Sequence, residues 1–455
     1  MNNNDSSDIR EQREALFGGK TSSLELVENC LSRIADTEGE GRRTFIRVWD
    51  DQARTVARAQ DDLRRAGYAS SVVAGIPVSI KDLFDVAGEI TLAGTRALDD
   101  AAPAAADAPV VKRLKSAGAV LVGRTNMTQF AFSAVGINPH FGTPGNPWDR
   151  SRIPGGSSSG AAVSVADGMA TAAIGSDTVG SIRVPAALCG IVGFKPTQRK
   201  VSRQGAIPLS TTLDSIGPLA RTVEDCALVH AVIAGEAYQL PDLPGPRGLR
   251  FAIPTDVVLD GMDAEVSHVF ERACSAISNA GAVVSELRLD LFSEIRSRNL
   301  NATIQAVEAL AWHSELLARR GRDYDPNVRK RVERGAEFSA VDYVRALGRR
   351  RELTRTFQDL TAPFDALILP TVPIIAPTMD ECARNEDDVR ATLIRNPLLF
   401  NFLDRPAISI PIHRIGDAPV GLTIVGERDG DWRLLGIARA VESLFLARIP
   451  DLTWG

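Results

Sequence analysis

Cysteine is scarce in this 455-residue chain: Cys30, Cys189, Cys226, Cys274 and Cys382 stand alone, with no C-x-x-C and no paired spacing. A disulfide framework or a thiolate zinc site is therefore not expected, and a reducing cytoplasm fits. Basic residues bring no excess either, because 52 Lys and Arg face 57 Asp and Glu for a formal charge of −5. Neither nucleic acid nor anionic membrane is implied as a partner. No run reaches the roughly 18 apolar residues that a membrane span needs. The first fifteen residues carry Asp, Arg and Glu with no apolar h-region, which argues against a secretory signal and for a cytoplasmic protein. Residues 1–7 read as a polar tail. Nucleotide motifs are missing as well. Gly19-Lys20-Thr21 ends like a phosphate loop, but Glu14 stands where its first glycine belongs, and no G-x-G-x-x-G opens a helix after a strand. No cofactor is expected.

What is present is an ordinary globular balance, 44% hydrophobic and 24% charged, in a length that α/β enzymes often run as one domain. Four stretches follow one another: N-terminal helices (8–70), a core (71–235), a helical pocket-forming region (236–395), and closing strands and a helix (396–455). Ser22 and Glu25 form a capping box ahead of Leu24, Val27, Leu31 and Ile34 at helical spacing. Ile76, Val78 and Ile80 alternate as a strand that ends near Lys81. Residues 107–117 predict a helix stopped at Gly118, then a buried strand from Ala119 to Val122. This rhythm predicts helices over a mainly parallel sheet. Further strands are expected in "FDALILP", "PAISIPI" and "PVGLTIVG", and a last helix around 432–445.

The stretch "GGSSSGAAVSVADGMATAAIGSDTVGSIR" (155–183) holds six serines among glycines and neither histidine nor lysine. It is no linker, because Ala161, Ala162, Val163, Val165 and Ala166 make a small-residue helix that Gly168 can end. Ser157, Ser158 and Ser159 occupy N-cap positions. Residues 169–177 read as a strand and "TVGS" (178–181) as a turn. A helix and a strand of these lengths, doubling back, can bring Ser181 near Ser157. The N–H groups of Val179, Gly180 and Ser181 can then converge as an oxyanion hole. Pro185 fits the first turn of the next helix.

A base must come from elsewhere. The five histidines stand in no catalytic arrangement, and of the seven lysines only Lys81 is expected at the end of an apolar strand, where α/β sheets place ligands. Burial would make a neutral amine available there. A lysine that snorkels to solvent beside Asp82 fits the position equally well. "GSSSG" (156–160) also matches G-x-S-x-G with Ser158 as nucleophile, but that elbow must follow a strand, and here it follows loop.

The block 155–186 resembles the signature of the amidase signature family of serine hydrolases nearly throughout. The likeness extends through "AGIPVSIKD", "VLVGRTNM", "GTPGNPWD", "LCGIVGFKPT" and "SIGPLARTVED", leaving out roughly 240–360. It implies a single α/β/α sandwich domain around a large mixed β-sheet, and a Ser–cisSer–Lys triad. By motif position Ser181 would be the nucleophile, Ser157 the bridging serine on a cis peptide, and Lys81 the base. Ser158 would be a supporting hydrogen-bond partner, and Thr178, Val179 and Gly180 would line the oxyanion hole with it. The implied activity is metal-independent hydrolysis of a small amide, anilide or carbamate. Homodimers are common in the family, which makes one an expectation here. Arg183 matches the signature arginine, and a salt bridge with Asp177 is at least as good a reading as substrate binding. Cys189 reads as a small core residue.

Two positions depart from the family pattern. Val179 stands where glycine is usual, and a β-branched residue disfavours positive φ and would narrow the acyl pocket. Gln129 replaces an expected glutamate, with no consequence evident from sequence. The competing function is the glutaminase component of a glutamyl-tRNA amidotransferase, its A subunit. That component usually has glutamine where this chain has Val184, which favours a stand-alone enzyme.

Overall fold

A computed structural model describes residues 7–68 and 71–446. The expected tail, apart from Ser7, and the last nine residues lie outside that range. Among the described residues eleven strands form one sheet. In chain order they are β1 (Phe45–Val48), β2 (Pro77–Lys81), β3 (Val120–Thr125), β4 (Ala172–Asp177), β5 (Val192–Lys195), β6 (Ser215–Ala220), β7 (Arg250–Pro254), β8 (Val283–Leu287), β9 (Ala366–Pro370), β10 (Ala407–Pro411) and β11 (Gly421–Val425). Their spatial order is β1-β3-β2-β4-β6-β5-β10-β11-β9-β7-β8.

The sheet is mixed, which corrects the mainly parallel expectation. Only β2 with β3 and β4, and β7 with β8 and β9, pair in parallel; the six other pairings are antiparallel. The helix–strand alternation read from the first 130 residues holds only around β2 and β3.

Both faces of the sheet carry a core, because side chains alternate along a strand. On β4, Ala173 packs with Leu219 of β6 and the helices Ser159–Ala166 and Arg183–Cys189. Its neighbours Ala172 and Ile174 belong to the opposite cluster, with the helices Val223–Ala234 and Asp431–Leu446. This is the α/β/α layering implied by the family likeness. The capping box at Ser22 and Glu25 opens the helix Ser23–Ala35 as the sequence predicts.

The 236–395 stretch holds the strand expected in "FDALILP", β9, and adds β7 and β8, the three forming one end of the sheet. The sequence reading missed β7 and β8, and β8 is largely exposed at the edge, so it lacks the apolar run that betrays a buried strand. Its long helices, Leu300–Arg320 and Ala340–Thr361, do appear as predicted. No disulfide joins cysteines among the described residues. No helix among the described residues is long and apolar enough to cross a membrane.

Candidate active site

β2 lies between β3 and β4 and runs parallel to both, so the carboxyl ends of all three open on one side of the sheet. Lys81 is the last residue of β2 and is wholly buried, which rules out the snorkelling alternative. Its Nζ lies 2.7 Å from Ser157 Oγ and 2.9 Å from Ser176 Oγ. Burial pushes its pKa down to about 7, against the opposing pull of Asp177 and Asp214. The sequence reading placed Lys81 alone at the end of an apolar strand, and the structure adds a second lysine there. Lys195 ends β5 and is equally buried, but its amine bonds the Pro196 carbonyl at 2.9 Å, not a serine.

Ser157 follows a cis peptide bond from Gly156. Its carbonyl accepts the Thr128 N–H at 3.1 Å, and the Gly156 N–H reaches the Ala134 carbonyl at 2.7 Å. Ser158 takes the N-cap position of the helix Ser159–Ala166 but gives that helix no side-chain cap. Instead its Oγ faces the Ser176 carbonyl at 3.3 Å, and its N–H donates to the Ser181 carbonyl at 3.2 Å. That backbone bond ties the serine segment to the turn after β4, so the chain doubles back as the element lengths allow. Ser181 is 1% exposed, and its Oγ has no hydrogen-bond partner among the described residues.

Asp177, the last residue of β4, organises the turn. Its carboxylate accepts the N–H groups of Gly180 at 2.8 Å and Ile182 at 3.1 Å. Arg183 grips the same carboxylate through Nε at 3.1 Å and Nη2 at 3.0 Å, with both residues fully buried. Burial alone would raise the Asp177 pKa, but the Arg183 charge and hydrogen bonds outweigh it and bring it down to about 2. Arg183 is thus a structural ion-pair partner, also bonded to the Pro397 carbonyl and Asn401 Oδ1.

Of the three N–H groups expected to converge at this turn, that of Gly180 is given to the Asp177 carboxylate at 2.8 Å. Thr178 commits its hydroxyl to Asp214 at 2.6 Å. Val179 does not take a positive φ; that conformation falls on Gly180, at +119°. Nor does Val179 line the nearby cavity: it packs with Val184, Leu188 and Val372 in the core.

That cavity, of about 380 Å³, reaches Ser176 and Thr178 and is walled by Leu83, Ala131, Ile207 and Asp214. Burial raises the Asp214 pKa to about 6, and hydrogen bonds from Thr178, Ser210 and Leu209, with the more distant Arg203 charge, limit the rise. Sequence reasoning missed Ser176 and Asp214. Ile80, just before Lys81, pairs with Ile174, two residues before Ser176, so the Lys81–Ser176 contact comes from the β2–β4 pairing and not from chain order.

Gln129 acquires a role. Its Nε2 meets Thr95 Oγ1 at 2.6 Å, His140 Nε2 at 3.0 Å and the Asp323 carbonyl at 3.0 Å, while its Oε1 accepts the Asp325 N–H at 2.7 Å. It pins the segment after the long helix Leu300–Arg320 to the core.

The family model for amidases matches residues 25–435. The chain belongs to the amidase family. A crystal structure described as an amidase superposes with a TM-score of 0.88 at 32% identity, over 96% of this chain and 100% of the other. Two named relatives match along nearly their whole length. The A subunit of the glutamyl-tRNA(Gln) amidotransferase of Roseiflexus sp. (strain RS-1) is 34% identical over 98% of each chain. The 2-amino-5-chloromuconic acid deaminase of Comamonas testosteroni is 35% identical, again over 98% of each. This amidase is accordingly an amidohydrolase acting on C–N bonds.

Proposed function

We propose that this amidase hydrolyses a small amide, anilide or carbamate through an acyl-enzyme on Ser181, with Ser157 and Lys81 as its proton relay. The observation that carries the reading is the buried Lys81–Ser157 contact of 2.7 Å on a segment that the Ser158 N–H ties to Ser181 at 3.2 Å, where the Ser181 hydroxyl has no partner among the described residues.

A lysine whose pKa burial has brought to about 7 is substantially neutral near neutrality and can accept a proton. Neutral Lys81 takes the Ser157 hydroxyl proton as Ser157 takes that of Ser181, and Ser181 Oγ bonds to the substrate carbonyl carbon. The N–H groups of Val179 and Ser181 receive the developing oxyanion, each worth about 3–4 kcal/mol in a site closed to water. The C–N bond then breaks, and the proton returns through Ser157 to the leaving nitrogen. Water attacks the acyl-enzyme with its proton passed along the same relay, which frees the acid and restores Ser181. Ser176, at 2.9 Å from Lys81, gives the neutral amine a second partner and fixes its direction.

Fluorophosphonate labelling with peptide mapping tests this. A single adduct on Ser181, absent in Ser181→Ala and slowed in Lys81→Ala, is the expected result. An adduct on Ser158, or none, would refute the assignment.

A second reading is that of the amidotransferase component that releases ammonia from glutamine within a complex. Its support is the 34% identity to such a component over 98% of both chains. Val184 weighs against it, and glutaminase activity of the purified chain, tested by itself and with the other components of the complex added, separates the two.

A further inference from the structure

The cavity that reaches Ser176, whose hydroxyl lies 2.9 Å from Lys81 Nζ, carries two ionisable side chains, Asp214 and Arg203, among mainly apolar walls. They are not equivalent. Asp214 is buried, and its oxygens already accept the Thr178 hydroxyl and the N–H groups of Leu209 and Ser210. Glu308, behind the same loop, is likewise taken up by Ser210, Thr212 and Tyr343. Arg203 is half-buried, and no carboxylate among the described residues pairs with it. One of its nitrogens, Nη1, donates to the Thr211 carbonyl across the loop, which orients the guanidinium and leaves Nε and Nη2 to face elsewhere.

The cavity also has a direction. Gln204 beside Arg203 is exposed, whereas Ser176 and Thr178 at the other end are buried. A substrate in this space would place its reacting end by Ser176 and Thr178, on the Lys81 side, and its far end by the Arg203 guanidinium.

We infer that Arg203 anchors a substrate carboxylate, so that this amidase acts on short amides bearing a second, anionic carboxyl group, such as monoamides of dicarboxylic acids. The inference rests on the amidase reading of the Ser181 turn and adds the substrate class to it. A planar guanidinium with its Nε and Nη2 donors unengaged is the side chain suited to grip a carboxylate through paired hydrogen bonds. Its partial burial, in a cavity also walled by Ala206, Ile207 and Pro208, weakens solvent screening and strengthens the attraction. Apolar walls between the two ends accept a short methylene chain. The loop is held from both sides, by Asp214 and by Glu308, so the cation is positioned before substrate arrives.

Calorimetric binding to the Ser181→Ala protein, which needs no turnover, tests the inference. The probes are succinamate and glutaramate against their neutral counterparts butyramide and valeramide. The carboxylated member of each pair should bind about tenfold or more tightly. That preference should vanish in Arg203→Gln and partly return in Arg203→Lys, with folding of each variant checked by circular dichroism. In the wild-type enzyme the ratio of kcat/KM for succinamate over butyramide should collapse likewise on Arg203→Gln. Equal affinity within each pair, no binding of either carboxylated probe, or a preference that survives Arg203→Gln would overturn the inference. So would an equal loss for charged and neutral probes, which marks Arg203 as a loop brace through Thr211 only. If Arg203→Gln does not fold, Arg203→Lys decides alone, through whether the preference shrinks severalfold. Failure of the proposed function looks different: Ser181 would escape the fluorophosphonate while charge-selective binding persisted.

Discussion

Lys81 Nζ sits 2.7 Å from Ser157 Oγ with both side chains wholly shielded from solvent. Burial dominates the environment of the amine and brings its pKa to about 7. In the proposed relay the neutral amine is the base, so kcat/KM should climb with pH by about tenfold per unit below the pKa and flatten above it. Lys81→Met should lower kcat/KM by about 10²–10⁴-fold and abolish that limb. A profile flat from about pH 5.5 to about 8.5 in the wild type would show that another group is the base.

The Asp177–Arg183 pair makes a stability prediction. Asp177→Asn leaves Arg183 buried without its counter-ion and should cost about 3–5 kcal/mol, read from urea denaturation at neutral pH. The pair also sets an acid limit. The folded pKa of about 2 lies below the ordinary value of 3.8, so its contribution is present above the ordinary value and drains away as pH falls through about 2. Asp177→Asn should lack that acid-dependent component.

Gly180 and Val179 should respond in opposite ways. A Cβ on Gly180 would come within 2.7 Å of Pro397 Cβ and Cγ and 2.9 Å of Val184 Cγ2, at a φ of +119°. Gly180→Ala should therefore displace the turn, at a backbone cost alone of about 1–3 kcal/mol, and abolish Ser181 labelling. Val179→Gly removes a buried side chain worth about 1.5–3 kcal/mol but leaves the turn geometry, so labelling should survive at a lower Tm. Equal labelling by the two variants would contradict this account of the turn.

Gln129→Glu, which installs the residue usual in the family, removes an amide donor and sets an oxygen against the Asp323 carbonyl. The expected loss is about 1–3 kcal/mol at neutral pH. His140 Nε2 stands 3.0 Å from the same atom, and burial holds its pKa low in the wild type. Protonation of His140 would supply a donor and a positive charge, so the deficit in thermal stability should shrink on acidification. An unchanged Tm would mean that the segment 321–325 is held by other contacts.

The amino-acid sequence by itself determined the local elements and the kind of chemistry. The capping box at Ser22 and Glu25, the strand into Lys81 and the small-residue helix after Ser158 are set by spacing and side-chain type within a few residues. The signature block was legible for the same reason, since its serines, glycines and aspartate lie within one short stretch. What only the tertiary structure decided are relations between distant strands. The sheet is mixed because β5, β6, β10 and β11 pair antiparallel in the middle, and strand direction leaves no periodic trace in a fully buried run. The removal of Lys81 from solvent and the contact of Ser176 with Lys81 depend on register across β2 and β4, whereas the Gly180 N–H bond to Asp177 closes within a single turn. Register is a property of pairing, so the chain alone names these residues without saying which of their atoms meet.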